Sequence, residues 1–365
     1  MLKPIHLRAG LHMFKESFLV RFRGIKKYAG DAKQICESVV KDCYNGKYFQ
    51  VNGDNYNFFW ARDFGISIES LLKLGYKKEV LSTLGYALDV FSKNDKITTA
   101  IYSNNKPFNF PDVYSPDSVA LLFRSLRVAG ANKLIKKYKG FLNREVLKFY
   151  NTVLDKETGL VKRKTHFSGM RDYAIRDSSC YDNVMMAVIA DEVKRLKLDN
   201  PFKKYNFKEI IKNNFWTGSY FLDDLSGSKH ITGDANVFPF WLEIFDDKKM
   251  VKSAINSTLE VGLDKPLPLK YMSGKAREKM IPIEWFVPNW ERDCIWFMIG
   301  PLYMQLIDKI DKQKAREYIA GYKETIERYG NYLELYKPNG KPYKSLFYHA
   351  GRGMLWAANY LSLLR

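Results

Sequence analysis

Phe58-Phe59-Trp60-Ala61-Arg62-Asp63-Phe64, continued by apolar positions at helical spacing to Leu74 and halted at Gly75, carries the pattern on which the fold is read. A long aromatic loop ends at a helix entrance, a glycine stops the helix, and a second helix is predicted over 77–91 after a tight turn. The same unit recurs on both sides. Upstream, Asp31 stands where an N-cap belongs, with Ala32, Ile35, Val39 and Val40 on one face of a helix running toward Cys43. Downstream, Ser115-Pro116 opens a helix that ends before Gly130, and another follows over 131–150. Residues 177–196 carry Val184, Ala187, Val188, Ala190 and Val193 on one side. Further helices are predicted over 207–215, 235–245 (capped by Asp234), 248–261, 292–310, 312–329 and 351–364.

The tally is about a dozen helices with almost no strand signal. Short connections alternate with long ones rich in Gly, Pro and aromatic residues, at 44–63, 94–115, 151–176, 217–233, 262–291 and 331–350. Long loops falling only between helix pairs predict an all-α toroid of six hairpins, with those loops gathered on one face. Long loops inside a compact domain are usually functional. Nothing resembling a linker divides the chain, so residues 31–365 are expected to form one domain. Residues 1–30, basic with scattered apolar positions, are expected to form a packed N-terminal arm or short strands.

Composition narrows the function. Hydrophobic residues make up 46% and charged residues 27%, as in globular proteins. Aromatics reach 15%, which fits either a Tyr-rich core or a ring-lined cleft, because sugar C–H faces stack on aromatic rings. The formal charge of +19 invites a nucleic-acid reading, but the lysines are scattered as doublets such as Lys26-Lys27 and Lys203-Lys204. Solvated helix faces explain them better, so no nucleic-acid partner is expected. No apolar run of about 18 residues exists, so no membrane span is expected, and the N-terminus lacks a signal-peptide core. Cys36, Cys43, Cys180 and Cys294 form no CxxC pair, which suits reduced thiols in the cytoplasm. The five histidines do not cluster, so no His-ligated metal is expected, and catalysis by two carboxyl groups needs no cofactor.

Chemistry is sought in the long loops. In the first, Arg62 and Asp63 form a donor–acceptor pair suited to adjacent sugar hydroxyls, and Trp60 supplies a wall; Asp63 as a plain helix cap is the structural alternative. In the third, Ser168-Gly169-Met170-Arg171-Asp172-Tyr173-Ala174-Ile175-Arg176-Asp177 offers Asp172, Asp177 or Asp182 as a general acid. In the sixth, Glu334 sits among apolar and aromatic residues before a Pro-Asn-Gly turn and could act as base on a water. The fifth contributes Glu284, Trp285, Asn289, Trp290, Glu291 and Arg292 as a sugar-binding rim. Signatures of Ser hydrolases, P-loop enzymes, zincins and dinucleotide binders are absent.

Three of these segments resemble a known group. Trp60-Ala61-Arg62-Asp63 is similar to the W-x-R-D segment of glucoamylases and of the amylo-α-1,6-glucosidase half of glycogen debranching enzymes. Residues 168–176 resemble the S-G-W/L/M-D-x-x-x-R segment of trehalases and processing α-glucosidase I. Residues 331–340 resemble their late E-x-Y-x-P-x-T/N-G segment. The resemblance implies an (α/α)6 barrel and an inverting hydrolase of an α-glucoside or related oligosaccharide. It makes Asp172 the general acid and Glu334 the general base, and puts Arg62 and Asp63 around the sugar at the non-reducing end. Arg176, from the matched third-loop segment, joins Trp285 and Trp290 of the fifth-loop rim in the candidate binding set. Arg171 departs from the pattern: it stands where the Asp should follow the hydrophobic residue, although Asp172 keeps the four-residue step to Arg176. A guanidinium in direct contact with Asp172 would make it a poor acid. The competing readings are a carbohydrate-binding toroid without activity, a nucleic-acid-binding helical array and a polysaccharide lyase.

Overall fold

The computed structural model describes residues 4–272 and 280–364. Among them are fourteen α-helices and five strands of two residues each. Six helices form an inner ring: α3 (Ala61–Lys73), α5 (Pro116–Val128), α8 (Cys180–Arg195), α10 (Gly233–Trp241), α12 (Gly300–Asp308) and α14 (Ala357–Leu363). Each packs on the next, and α14 returns to α3. Outside stand α2 (Ala32–Asp42), α4 (Lys77–Lys93), the pair α6 (Asn132–Lys137) and α7 (Lys139–Val153), α9 (Phe207–Phe215), α11 (Lys248–Glu260) and α13 (Lys312–Tyr329). The chain alternates outer and inner helices, which is the (α/α)6 toroid.

The inner helices have almost no polar face. Every residue of α10 is buried, as is α5 from Pro116 to Leu126. A helix buried on all sides must be surrounded, and here the outer ring does that. Two inner helices touch at backbone distance: a Cβ on Gly65 of α3 would lie 2.7 Å from the Cβ of Leu121 in α5. Outer helices keep one apolar stripe, as in α2, where Ile35, Cys36, Val39 and Val40 are buried. Asp31 caps α2 in a reciprocal capping box with Gln34, at the position expected.

Alternation also orders the loops. Each long connection leaves an outer helix and enters the N-terminus of an inner one, so all six open at the same end of the ring. Helix boundaries differ from expectation where tertiary contacts intervene. The helix expected over 292–310 begins only at Gly300, because Ile295 and Trp296 form β4 and pair with β5, Leu335–Tyr336. The helix expected over 131–150 is two, broken at Tyr138. The segment expected as an arm or strands is helix α1, Pro4–Arg23, lying beside the sixth loop. Among the described residues no helix is long and apolar enough to cross a membrane.

Candidate active site

Four inner helices carry a buried aspartate in the first turn: Asp63 in α3, Asp117 in α5, Asp182 in α8 and Asp234 in α10. The partial positive charge of a helix N-terminus favours an acid there. These acids surround two buried arginines. Arg176 reaches Asp234 at 2.9 Å and Asp223 at 3.3 Å. Arg62 reaches Asp117 through Nε at 2.5 Å and Asp172 through Nη2 at 2.9 Å and Nη1 at 3.4 Å, and also donates to the Ser168 hydroxyl. Ser168 in turn donates to Asp172 at 2.7 Å, and Tyr181 donates to Asp117 at 2.9 Å.

A cleft opens where the long loops meet. Its walls are aromatic: Trp60, Phe110, Tyr173, Tyr271, Trp290, Trp296 and Trp356. Four carboxyl groups line it: Asp63, Asp172, Glu291 and Glu334, together with Arg62. Five of the six long loops contribute, and the fourth does not. Asp63 does not act as a side-chain cap; it accepts from Trp356 Nε1 at 3.1 Å, and burial pushes it up to about 7 despite the adjoining Arg62.

Glu334 is fixed on both sides by backbone bonds, its N–H to Gly351 O and its carbonyl to Phe297 N–H. Its carboxyl accepts from Gly351 N–H at 2.7 Å and from the hydroxyls of Tyr348 and Tyr56. Burial pushes it up to about 7, while the bonds from Tyr348 and Gly351 pull it down. These donors are polar, and none of them is a cation.

Glu291 was read from the sequence only as part of a rim, and the structure gives it more. It is 1% exposed, and its Oε1 accepts the N–H of Asp172 at 2.9 Å. The N–H of Tyr173 also bonds to it, and burial pushes it up to about 8. The charge of Arg171 acts on Glu291 and pulls it back down. Asp172 carries the guanidinium of Arg62, from another loop. Among the described residues, Glu291 Oε2 and the indole N–H groups of Trp60 and Trp290 are buried without a hydrogen-bond partner. A signal for Glu291 was present in the sequence, an acid between Trp290 and Arg292, but nothing there tied it to the third loop.

The structure thus brings Trp60, Arg62, Asp63, Asp172, Trp290 and Glu334 into one cleft. It leaves two of the proposed binding residues outside. Arg176 is not among the cleft residues and is committed to Asp223 and Asp234, because these two buried acids require a cation. Trp285, in the 3-10 turn Pro282–Trp285, is 78% exposed and is not among the cleft residues. The alternative acids are also elsewhere. Asp177 pairs with Arg163 at 2.6 Å, and Asp182 accepts from Ser179 and is pushed up to about 6 by burial.

No protein-family model matches the sequence, and no curated protein matches it. Solved structures do. A GH63 mannosylglycerate hydrolase from Thermus thermophilus aligns over 92% of this chain and 100% of its own, at 12% identity and a TM-score of 0.62. A wild-type glycosidase aligns over 100% of this chain and 98% of its own, at 10% identity and a TM-score of 0.63. A rhamnosidase from Klebsiella oxytoca aligns over 93% of this chain and 64% of its own, at 10% identity and a TM-score of 0.61. This chain therefore has the six-hairpin (α/α)6 fold found in those glycosidases.

Proposed function

We propose that this chain is an inverting glycoside hydrolase acting on an α-glucoside or related oligosaccharide, with Asp172 as proton donor and Glu334 as the base that activates water. The observation that carries this reading is the meeting of two carboxyl groups, from the third and sixth loops, in one aromatic cleft beside Arg62 and Asp63. Inversion needs an acid and a base about 6.5–9.5 Å apart, on opposite faces of the scissile bond, with a water against the base. A sugar suits the walls: C–H faces stack on Trp60, Trp290 or Trp356, and hydroxyls accept from the unpartnered indole N–H groups. An unmatched buried donor costs about 1–3 kcal/mol, which such a ligand would offset.

Both oxygens of Asp172 are engaged by Arg62, so the departing glycosidic oxygen has to displace that contact. In this reading sugar hydroxyls take over the guanidinium and release Asp172. The Arg62–Asp172 pair also favours the second reading, a toroid that binds carbohydrate without cleaving it. A screen on α-glucosides, trehalose and glycosylated small acids, with product anomers read by NMR, separates the two. Turnover with a product of opposite configuration supports the hydrolase; tight binding without turnover supports the binder; retained configuration removes the inverting assignment. Asp172→Asn then tests the donor: its loss of rate should be far larger for poor leaving groups than for glycosyl fluorides, which need no proton.

A further inference from the structure

Among the described residues, six of the thirteen large apolar side chains that stand exposed fall in one patch. Leu11, Phe14, Phe18 and Phe22 recur at helical spacing along one side of α1 and are 44–74% exposed. The opposite side of α1 faces the body through Ser17 and Val20. Ring contacts continue the stripe: Phe14 to Phe18 at 6.5 Å, Phe18 to Phe22 at 5.0 Å, and Phe14 to Phe347 of the sixth loop at 6.4 Å. Phe347 meets Phe286 of the fifth loop at 5.4 Å. Contiguous apolar surface of this kind marks a docking site.

Charge selects the occupant. By helical spacing Arg8 and Lys15 border the stripe on one side and Arg21 on the other, and Arg23 follows at the end; all four are exposed. The one acid of α1, Glu16, is turned toward Arg352 at 3.7 Å. The face therefore presents phenylalanine and leucine within a basic border, on a chain of formal charge +19. A second copy of the chain would lay the same basic border against itself. An anionic bilayer complements both parts, since apolar side chains enter the boundary between headgroups and acyl chains while Lys and Arg meet lipid phosphates.

We propose that α1, with the Phe286 and Phe347 rims, docks this protein on an anionic phospholipid surface. Docking brings the mouth of the cleft to that surface, because Phe347 precedes Tyr348, whose hydroxyl bonds to Glu334. The proposal does not depend on the hydrolase reading.

Flotation of the full chain with phosphatidylcholine vesicles, with and without phosphatidylglycerol, tests it. Binding should be at least about tenfold stronger with phosphatidylglycerol and should fall as salt is raised. Phe14→Ser with Phe18→Ser should remove at least about nine-tenths of it. Arg8→Glu with Lys15→Glu, on an exposed border, should do the same and provides the reading if the phenylalanine variant does not fold. Equal binding to both vesicle types, or binding unchanged in the folded variants, overturns the proposal. So does a wild-type dimer in sedimentation velocity that the phenylalanine substitutions dissolve, because the face would then belong to a second copy.

Discussion

Arg62 Nη2 lies 2.9 Å from Oδ1 of Asp172, so the first and third long loops are joined by an ion pair inside the cleft. The same guanidinium holds Asp117, which is fully buried at the N-terminus of α5. One side chain thus serves the cleft and the ring at once. Arg62→Ala should lower kcat/KM by at least about 30-fold, near 2 kcal/mol for lost charge-assisted bonds. It should also lower stability by about 3–5 kcal/mol, because Asp117 is left as a buried charge without its cation. Arg62→Lys keeps the charge without the fork and should recover stability better than rate. Steady-state kinetics and thermal melts read both. Wild-type kinetics in Arg62→Ala would remove Arg62 from the site.

Tyr348 tunes Glu334. Its hydroxyl donates to the carboxyl and pulls it down, against burial that pushes it up to about 7. A base must be ionised, so activity should fall as pH drops through about 7. Tyr348→Phe removes the donor, and the acid limb of kcat/KM should then move to higher pH. A limb that stays in place would mean that Glu334 does not set it.

The ring was legible from the sequence because its signals are local. Asp31, Ser115-Pro116, Gly75 and Gly130 each punctuate a helix through their own backbone chemistry, and loop lengths alternate without reference to anything distant. The helix starting at Gly300 was misplaced because Ile295 and Trp296 answer to Leu335 and Tyr336, some 40 residues away. The same distinction divides the site. Arg62, Asp63, Asp172 and Glu334 stood out by motif or by position at a loop end. The third-to-fifth-loop bond from Asp172 N–H to Glu291 could not be read, because only the folded ring brings those loops together. Arg176 looked like a ligand-binding arginine for a related reason: its partners, Asp223 and Asp234, lie in a different hairpin.

Gly65 sets how closely α3 and α5 approach. A Cβ there would fall 2.7 Å from Leu121 Cβ and 3.3 Å from Leu121 O, the second of which is backbone and cannot swing aside. Gly65→Ala should therefore destabilise by about 1–3 kcal/mol even though alanine is the better helix former. Leu121→Gly in the same chain should relieve part of the side-chain clash, which a double-mutant cycle by urea unfolding would show as a favourable coupling. Unchanged stability in Gly65→Ala would mean that the two helices do not pack this closely.

Glu291 makes stability depend on pH with a definite sign. Burial is the main cause that carries its carboxyl from an ordinary value of 4.5 up to about 8, and the charge of Asp172 adds to it. Below the ordinary carboxyl range, folded and unfolded chains both keep the proton, and the stabilisation is fully present. As pH rises, the unfolded chain releases its proton first while the folded chain holds it until about 8, so stability drains away across that window. Asp63 and Glu334, both pushed up to about 7, act in the same direction over a narrower range. Glu291→Gln removes one titration and keeps an oxygen that can accept the N–H of Asp172. Urea unfolding from pH 5 to pH 9 should show the wild type losing stability more steeply than the variant, with the gap widening up to about 8 and constant above it. Parallel curves for the two proteins would show that Glu291 is ionised at ordinary pH, and would place Arg171 as the stronger influence on it.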